Sequence, residues 1–174
     1  MIVSTFKIQN MNPDWDKKLI KSLGKLPVAK VGFNSPSPKH PGSKLSMANI
    51  AAKLEYGSAQ DNITPRHFMR FTEEKNKGIV GQMLALSMTK ILAGANAMSL
   101  MKIIAVAYEG MIRKVMLEDA PTMPGWELSP RTIKNRRKRK VPPPNQSTAP
   151  LVDTHQLIDN INSKVYIPGQ GKKE

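Results

Sequence analysis

Core-facing positions recur every three or four residues between residues 79 and 115. Val80, Leu84, Ser87 and Ile91 come first. After a break at residues 94–96 the period resumes at Met101, Ala105, Tyr108, Ile112 and Val115. This spacing predicts two consecutive amphipathic helices, or one kinked helix. The helical region is expected to open at Thr64 as cap and Pro65 at the first helical position, with Glu73 and Glu74 still early in it. A shorter helix is predicted over "MANIAAKLEYG": Ser46 caps it, Ile50 and Leu54 share a face, and Gly57 stops it. Ile2, Phe6 and Ile8 mark a strand, "PVAKVGF" a second one, and residues 160–167 a third. Between the first two, Asn12, Pro13, Asp14 and Asp16 read as the start of a helix that Gly24 ends. Together these elements predict an α+β fold: a small mixed or antiparallel sheet packed against two long consecutive α-helices, with extended loops. One domain is expected over residues 1–168.

Proline, glycine and serine punctuate the rest. Residues 34–46 read as an exposed, mobile loop, and "DAPTMPGWELSP" breaks the long helical region. "SPRTIKNRRKRK" suits a short helical turn, capped by Ser129 and opened by Pro130. Residues 134–150 read as a basic and proline-rich connector within the domain, with "VPPPNQSTAP" extended and stiff. A turn or short helix is expected from Asp153 to about Ile158, and residues 169–174 as a flexible tail. No internal repeat is visible.

Charge changes this picture most. The 174 residues hold 27 Lys and Arg against 13 Asp and Glu, a net +14 with a pI near 10.1. Such a surface favours anionic partners: nucleic acid, acidic protein surfaces or anionic lipid. The absence of cysteine excludes disulfides and thiolate metal sites and fits a reducing cytosol. Residues 1–10 lack the basic and apolar runs of a secretory signal. Lys90, Asn96, Lys102, Glu109 and Arg113 interrupt the apolar region, so no membrane span is expected. Many of the eleven methionines fall in that region, where core filling explains them better than a binding groove.

Candidate chemistry is sparse. His40, His67 and His155 lack the spacing of paired metal ligands, and each reads as a surface or interface histidine. There is no GxSxG and no phosphate-binding loop, since "GSAQDN" and "PGQGKK" read as turns. No catalytic residue, metal or cofactor is therefore expected. Lys134, Arg136, Arg137, Lys138, Arg139 and Lys140 leave two readings open. One is contact with a polyanion backbone, for which the lack of interleaved aromatics is suited. The other is a solvated loop, or contact with another protein's acidic surface. Nuclear targeting stands behind both. Asp153, Thr154 and His155 resemble a catalytic set, but sequence neighbours diverge, whereas a triad converges from distant segments. Asp153 or Thr154 as cap, with Leu157 and Ile161 as the apolar face, explains more.

Two separated motifs carry a resemblance. Ala48, Ala51, Glu55, Tyr56 and Gly57, followed by Pro65, Arg66, Phe68, Met69 and Arg70, are similar to a pattern in neck and tail-completion proteins of tailed bacteriophages. Pro150, Leu151, Val152, Asp153, Thr154, Gln156, Leu157, Ile161 and Val165 resemble the second motif of that family. His67 stands at a usual proline, His155 at a usual glycine, and Asn160 at a usual serine. The resemblance covers about residues 28–165, in matching order. It implies a non-catalytic virion protein, assembled in the host cytoplasm into a homo-oligomeric ring, hexameric or dodecameric, at the neck. Tail termination is an alternative role. Its implied partners are neighbouring neck, connector and tail-tube proteins, with DNA in the channel as a candidate and no membrane. Glu55, Tyr56, Arg66, Phe68, Arg70, Asp153, Thr154 and His155 become interface candidates, with Arg66 and Arg70 expected to pair with Glu55 or a neighbouring subunit. Its rivals are a stand-alone nucleic-acid-binding protein using residues 134–140, and an enzyme.

Overall fold

The computed structural model describes residues 26–34, 37–39, 44–140 and 144–169. The strand read at Ile2–Ile8, the helix after Asn12, His40 and residues 170–174 lie outside the described residues. In chain order the elements are β1 (Val28–Gly32), α1 (Met47–Tyr56), α2 (Phe68–Leu92), α3 (Ala97–Lys114), α4 (Pro130–Lys138), α5 (Gln156–Asp159) and β2 (Asn162–Tyr166). A π turn at Val115–Asp119 and a 3-10 turn at Ala120–Thr122 prolong α3. Pro121, which has no N–H to donate, then ends the helical run. The fold is α+β, and among the described residues its sheet has two antiparallel strands, with Val28 opposite Tyr166 and Val31 opposite Ser163.

Local chemistry explains most element ends. The Ser46 hydroxyl accepts from Asn49 N at the start of α1, Asn96 Oδ1 from Ser99 N at the start of α3, and Ser129 Oγ from Thr132 N at the start of α4. Gly57 leaves α1 at φ +79°, and a Cβ there would meet Pro65 Cδ at 2.9 Å, so both dihedral and space require glycine. The buried face of α1 is Met47, Ala51 and Glu55, one position round from the expected Ile50 and Leu54, although Leu54 still touches the core.

α2 and α3 form a helical hairpin, and α3 is its central member, touching α2 on one side and both strands on another. The sheet lies chiefly on α3, and the start of α2 reaches it where Phe68 meets Phe33 edge-on at 6.4 Å. Phe68, Ile112, Val115, Met116 and Ile161 are each at most 1% exposed and form the centre of the core with Leu151, Val152 and Ile158. Full burial of such a side chain is worth about 1.5–3 kcal/mol. Met47 and Met116 are buried, and Met69 and Met123 pack against the core. The α3 periodicity holds, with Ala105, Ile112 and Val115 buried. The α2 periodicity is only partly used: Phe68 and Thr72 are buried, whereas Val80, Ser87 and Ile91 are half-buried and Leu84 is 43% exposed. The first half of α2 is covered by the segment after α3, where Phe71 meets Trp126 edge-on at 6.0 Å. Its outer half extends past that cover.

Candidate functional site

The first motif is a reversal from α1 into α2. α2 starts at Phe68, not at Thr64–Pro65, and its N-terminal flanking residue His67 is left-handed (φ +39°) and supplies no side-chain cap. Glu55 does this job from across the turn. Its buried carboxylate accepts Met69 N at 2.8 Å and Arg70 N at 3.1 Å, placing a negative charge on the helix N-terminus. Arg66 N donates to Leu54 O at 2.8 Å and His67 N to Glu55 O at 3.2 Å, closing the loop on the last turn of α1. Asp61 holds the loop tip by accepting from Lys53 and Ser58. Proline at position 67 could not adopt φ +39°, a conformation that histidine tolerates.

Neither arginine side chain of this motif pairs with Glu55, which Arg70 meets only through its backbone N–H. Arg70 is exposed and bonds Glu74 at 3.0 Å. Arg66 is buried and donates to the carbonyls of Trp126 at 3.0 Å and Glu127 at 3.5 Å. Burial, and next the charge of Arg136, push its pKa below the usual arginine range. Arg66 and Phe68 are thus interior to one chain and cannot form an outer contact. Tyr56, 78% exposed, and Arg70 remain available.

The second motif is a salt-bridged knot. Residues 134–138 of the basic run belong to α4, the helical turn expected after Ser129, so the irregular connector begins only at Arg139; one side of the helix faces inward. Arg136 is 8% exposed. Its Nη1 donates to Ala149 O at 2.8 Å, Val152 O at 3.1 Å and Ser147 O at 3.5 Å, while its Nε lies 3.4 Å from Asp153 Oδ1. Arg139 grips both Asp153 oxygens, one of them at 2.7 Å, and Asn145 donates to the same residue. Burial alone would raise the Asp153 pKa. The Arg139 hydrogen bonds, the Arg136 charge and the Asn145 contact outweigh it and hold the carboxyl below its usual range. Neither Asp153 nor Thr154 caps α5. His155 flanks it in a left-handed conformation (φ +59°, ψ −14°), one that glycine adopts more freely, and is exposed. Gln156 Oε1 is buried without a hydrogen-bond partner.

The two motifs meet. Ala51 and Phe68 share the core with Leu151, Val152 and Ile158, and Arg66 feels the charge of Arg136. Three guanidinium groups bind backbone carbonyls, most of them in segments outside the helices and strands. Arg66 takes those at 126–127, Arg136 those at 147–152, and Arg113 those of Ile158 (3.5 Å) and Ile161 (2.6 Å). Sequence reading missed Arg113, Asn145 and Trp126. A lone arginine on an apolar helix face, and a tryptophan inside a proline-rich break, were the available signals.

The hairpin presents two further surfaces. A groove of about 610 Å³ runs between β1, α2 and α3, lined largely by apolar side chains that include Val28, Val31, Val80, Leu84, Met101 and Ile104. Tyr108 also lines it, its pKa raised by burial and then by Glu73. On α3, Ile103 (62% exposed) and Val106 (60% exposed) form a ridge. At about 100° per residue that ridge lies on the side opposite Met101, Ile104 and Tyr108. Among the described residues, no group of three or more acidic or histidine side chains could hold a metal, and no helix is long and apolar enough to cross a membrane. Comparison of the chain with family models, with curated proteins and with solved structures found no match.

Proposed function

We propose that this chain is a structural protein of a tailed-bacteriophage neck, forming a homo-oligomeric ring at the head–tail junction in a tail-completion or head–tail-joining role. The observation that carries the reading is the two-sided hairpin. One chain offers an aliphatic ridge, Ile103 and Val106, and a differently shaped apolar groove on the opposite side of the same helix. Ridge into groove is a heterologous contact between copies, and such contacts close into rings when the rotation per copy allows it. A subunit that stayed alone would leave both surfaces in water. The motif resemblance supports the same reading, as does the +14 charge, which suits a subunit near a polyanion. Tyr56, Arg70 and His155 are the signature residues left to touch neighbours.

Sedimentation velocity over a concentration series, with native mass spectrometry, tests this. The wild-type chain is expected to form one closed species of more than two copies and to occur in purified virions. Ile103→Glu with Val106→Glu is expected to give a folded monomer. A wild-type chain that is monomeric at high concentration and absent from virions, or a closed two-fold dimer, overturns the reading.

A further inference from the structure

The α4 helix is two-sided in charge. Arg136 and Arg139 point to Asp153, while Arg131, Lys134, Arg137 and Lys138 are exposed and have no acidic partner among the described residues. At about 100° per residue these four fall in an arc of about 120°, facing away from Arg136. Lys134 repels Arg131, Arg137 and Lys138 at three- and four-residue spacing, and α4 contains no acidic residue to relieve it. Favourable interaction with the helix C-terminus accounts for Arg137 and Lys138. It does not account for Arg131, in the first turn where cations are disfavoured, or for Lys134 at the middle of the helix. The helix is held in advance of any contact by the Ser129 cap, Pro130 at its first turn and the buried Arg136.

We propose that this arc of α4 contacts the phosphate backbone of duplex DNA. The inference rests on the ring reading only for which duplex is met, the one in the channel. Nine residues of helix span about 13 Å, over which B-DNA presents about eight phosphate charges, enough for each of the four cations to meet one. No aromatic residue lies on α4 to stack on a base, so the contact is with backbone and is indifferent to sequence. Arg136 and Arg139 are not part of it, because their guanidinium groups hold the 145–153 segment in place.

The test is fluorescence anisotropy of a labelled random-sequence DNA duplex across a salt series, using the full chain in whatever assembly it forms. Two variants lose the same charge: R131Q/K134Q/R137Q/K138Q on the arc, and K39Q/K44Q/K90Q/K102Q elsewhere, outside the groove. For the arc variant the slope of log affinity against log salt is expected to become shallower by about 3.6 per bound chain, four contacts at about 0.9 each. The second variant is expected to keep a slope close to wild type. Equal losses in both variants would mean net charge alone and overturn the proposal. So would polyglutamate competing as well as duplex DNA at equal charge, which would indicate an acidic protein surface. Sedimentation of the same samples separates the two readings. A monomer that keeps the arc-dependent slope refutes the ring and leaves the DNA contact standing, and a ring without that slope does the reverse.

Discussion

Replacing Asp153 by Asn removes one negative charge and almost nothing else. The substitution keeps the shape and a site for the Asn145 amide, but it removes the Asp153 charge that Arg136 and Arg139 share. Exposed pairs are worth about 0–1 kcal/mol, and breaking a fully buried one costs about 3–5 kcal/mol. Here the side chains of Arg136, Arg139 and Asp153 are 9%, 19% and 30% exposed, which places the knot between these limits. The expected loss is about 2–3 kcal/mol at neutral pH, reduced because Arg136 keeps its carbonyl partners. Urea unfolding followed by circular dichroism measures it. The pH dependence identifies the cause. The folded pKa of Asp153 lies below its ordinary value of about 3.9, so below that value the unfolded chain takes up the proton first. The stabilisation is therefore complete above about pH 4 and is lost as pH falls through the lowered folded value. Wild type and Asp153→Asn should differ at neutral pH and converge in acid. Equal stability at neutral pH, or a gap unchanged in acid, would refute the assignment.

Two further outcomes probe the motifs. Glu55→Ala should destabilise by about 3 kcal/mol, because two N–H groups of α2 lose their acceptor at a part-buried site, whereas Glu55→Gln should lose only about 1 kcal/mol; urea titrations that rank Gln no better than Ala would contradict the capping role. His155→Gly should raise the thermal midpoint, with a gain of up to about 1 kcal/mol, and His155→Val should lower it by about 1–2 kcal/mol, since the left-handed backbone suits glycine and opposes a β-branched residue.

Elements whose signals are local were readable in advance. Ser46, Ser129 and Gly57 act within three residues of the backbone they terminate, so α1 and α4 fall where their letters put them. β1 and β2 lie inside the ranges expected for them, because alternating burial is also a local pattern. The expected start of α2 failed for the complementary reason. Thr64 and Pro65 make a plausible cap, but the acceptor used is Glu55, which reaches the helix from the end of α1.

The chain by itself determined that α1, α4, β1 and β2 form about where they do, its lack of thiol chemistry and its cationic character, each a property of residue type or short-range spacing. The tertiary structure decided what the charges do. In sequence, residues 134–140 are six equivalent cations beside an unrelated "VDTH". Folding turns Arg136 and Arg139 inward to Asp153 and the carbonyls of a segment without regular structure, and leaves Arg131, Lys134, Arg137 and Lys138 outside. The same step makes Glu55 a helix cap and turns Arg66, read as an outer contact, into an interior clamp. A buried guanidinium or carboxylate is stable only where partners converge on it, and those partners lie up to 61 residues away in the chain. Spacing in sequence cannot express that convergence, and packing does.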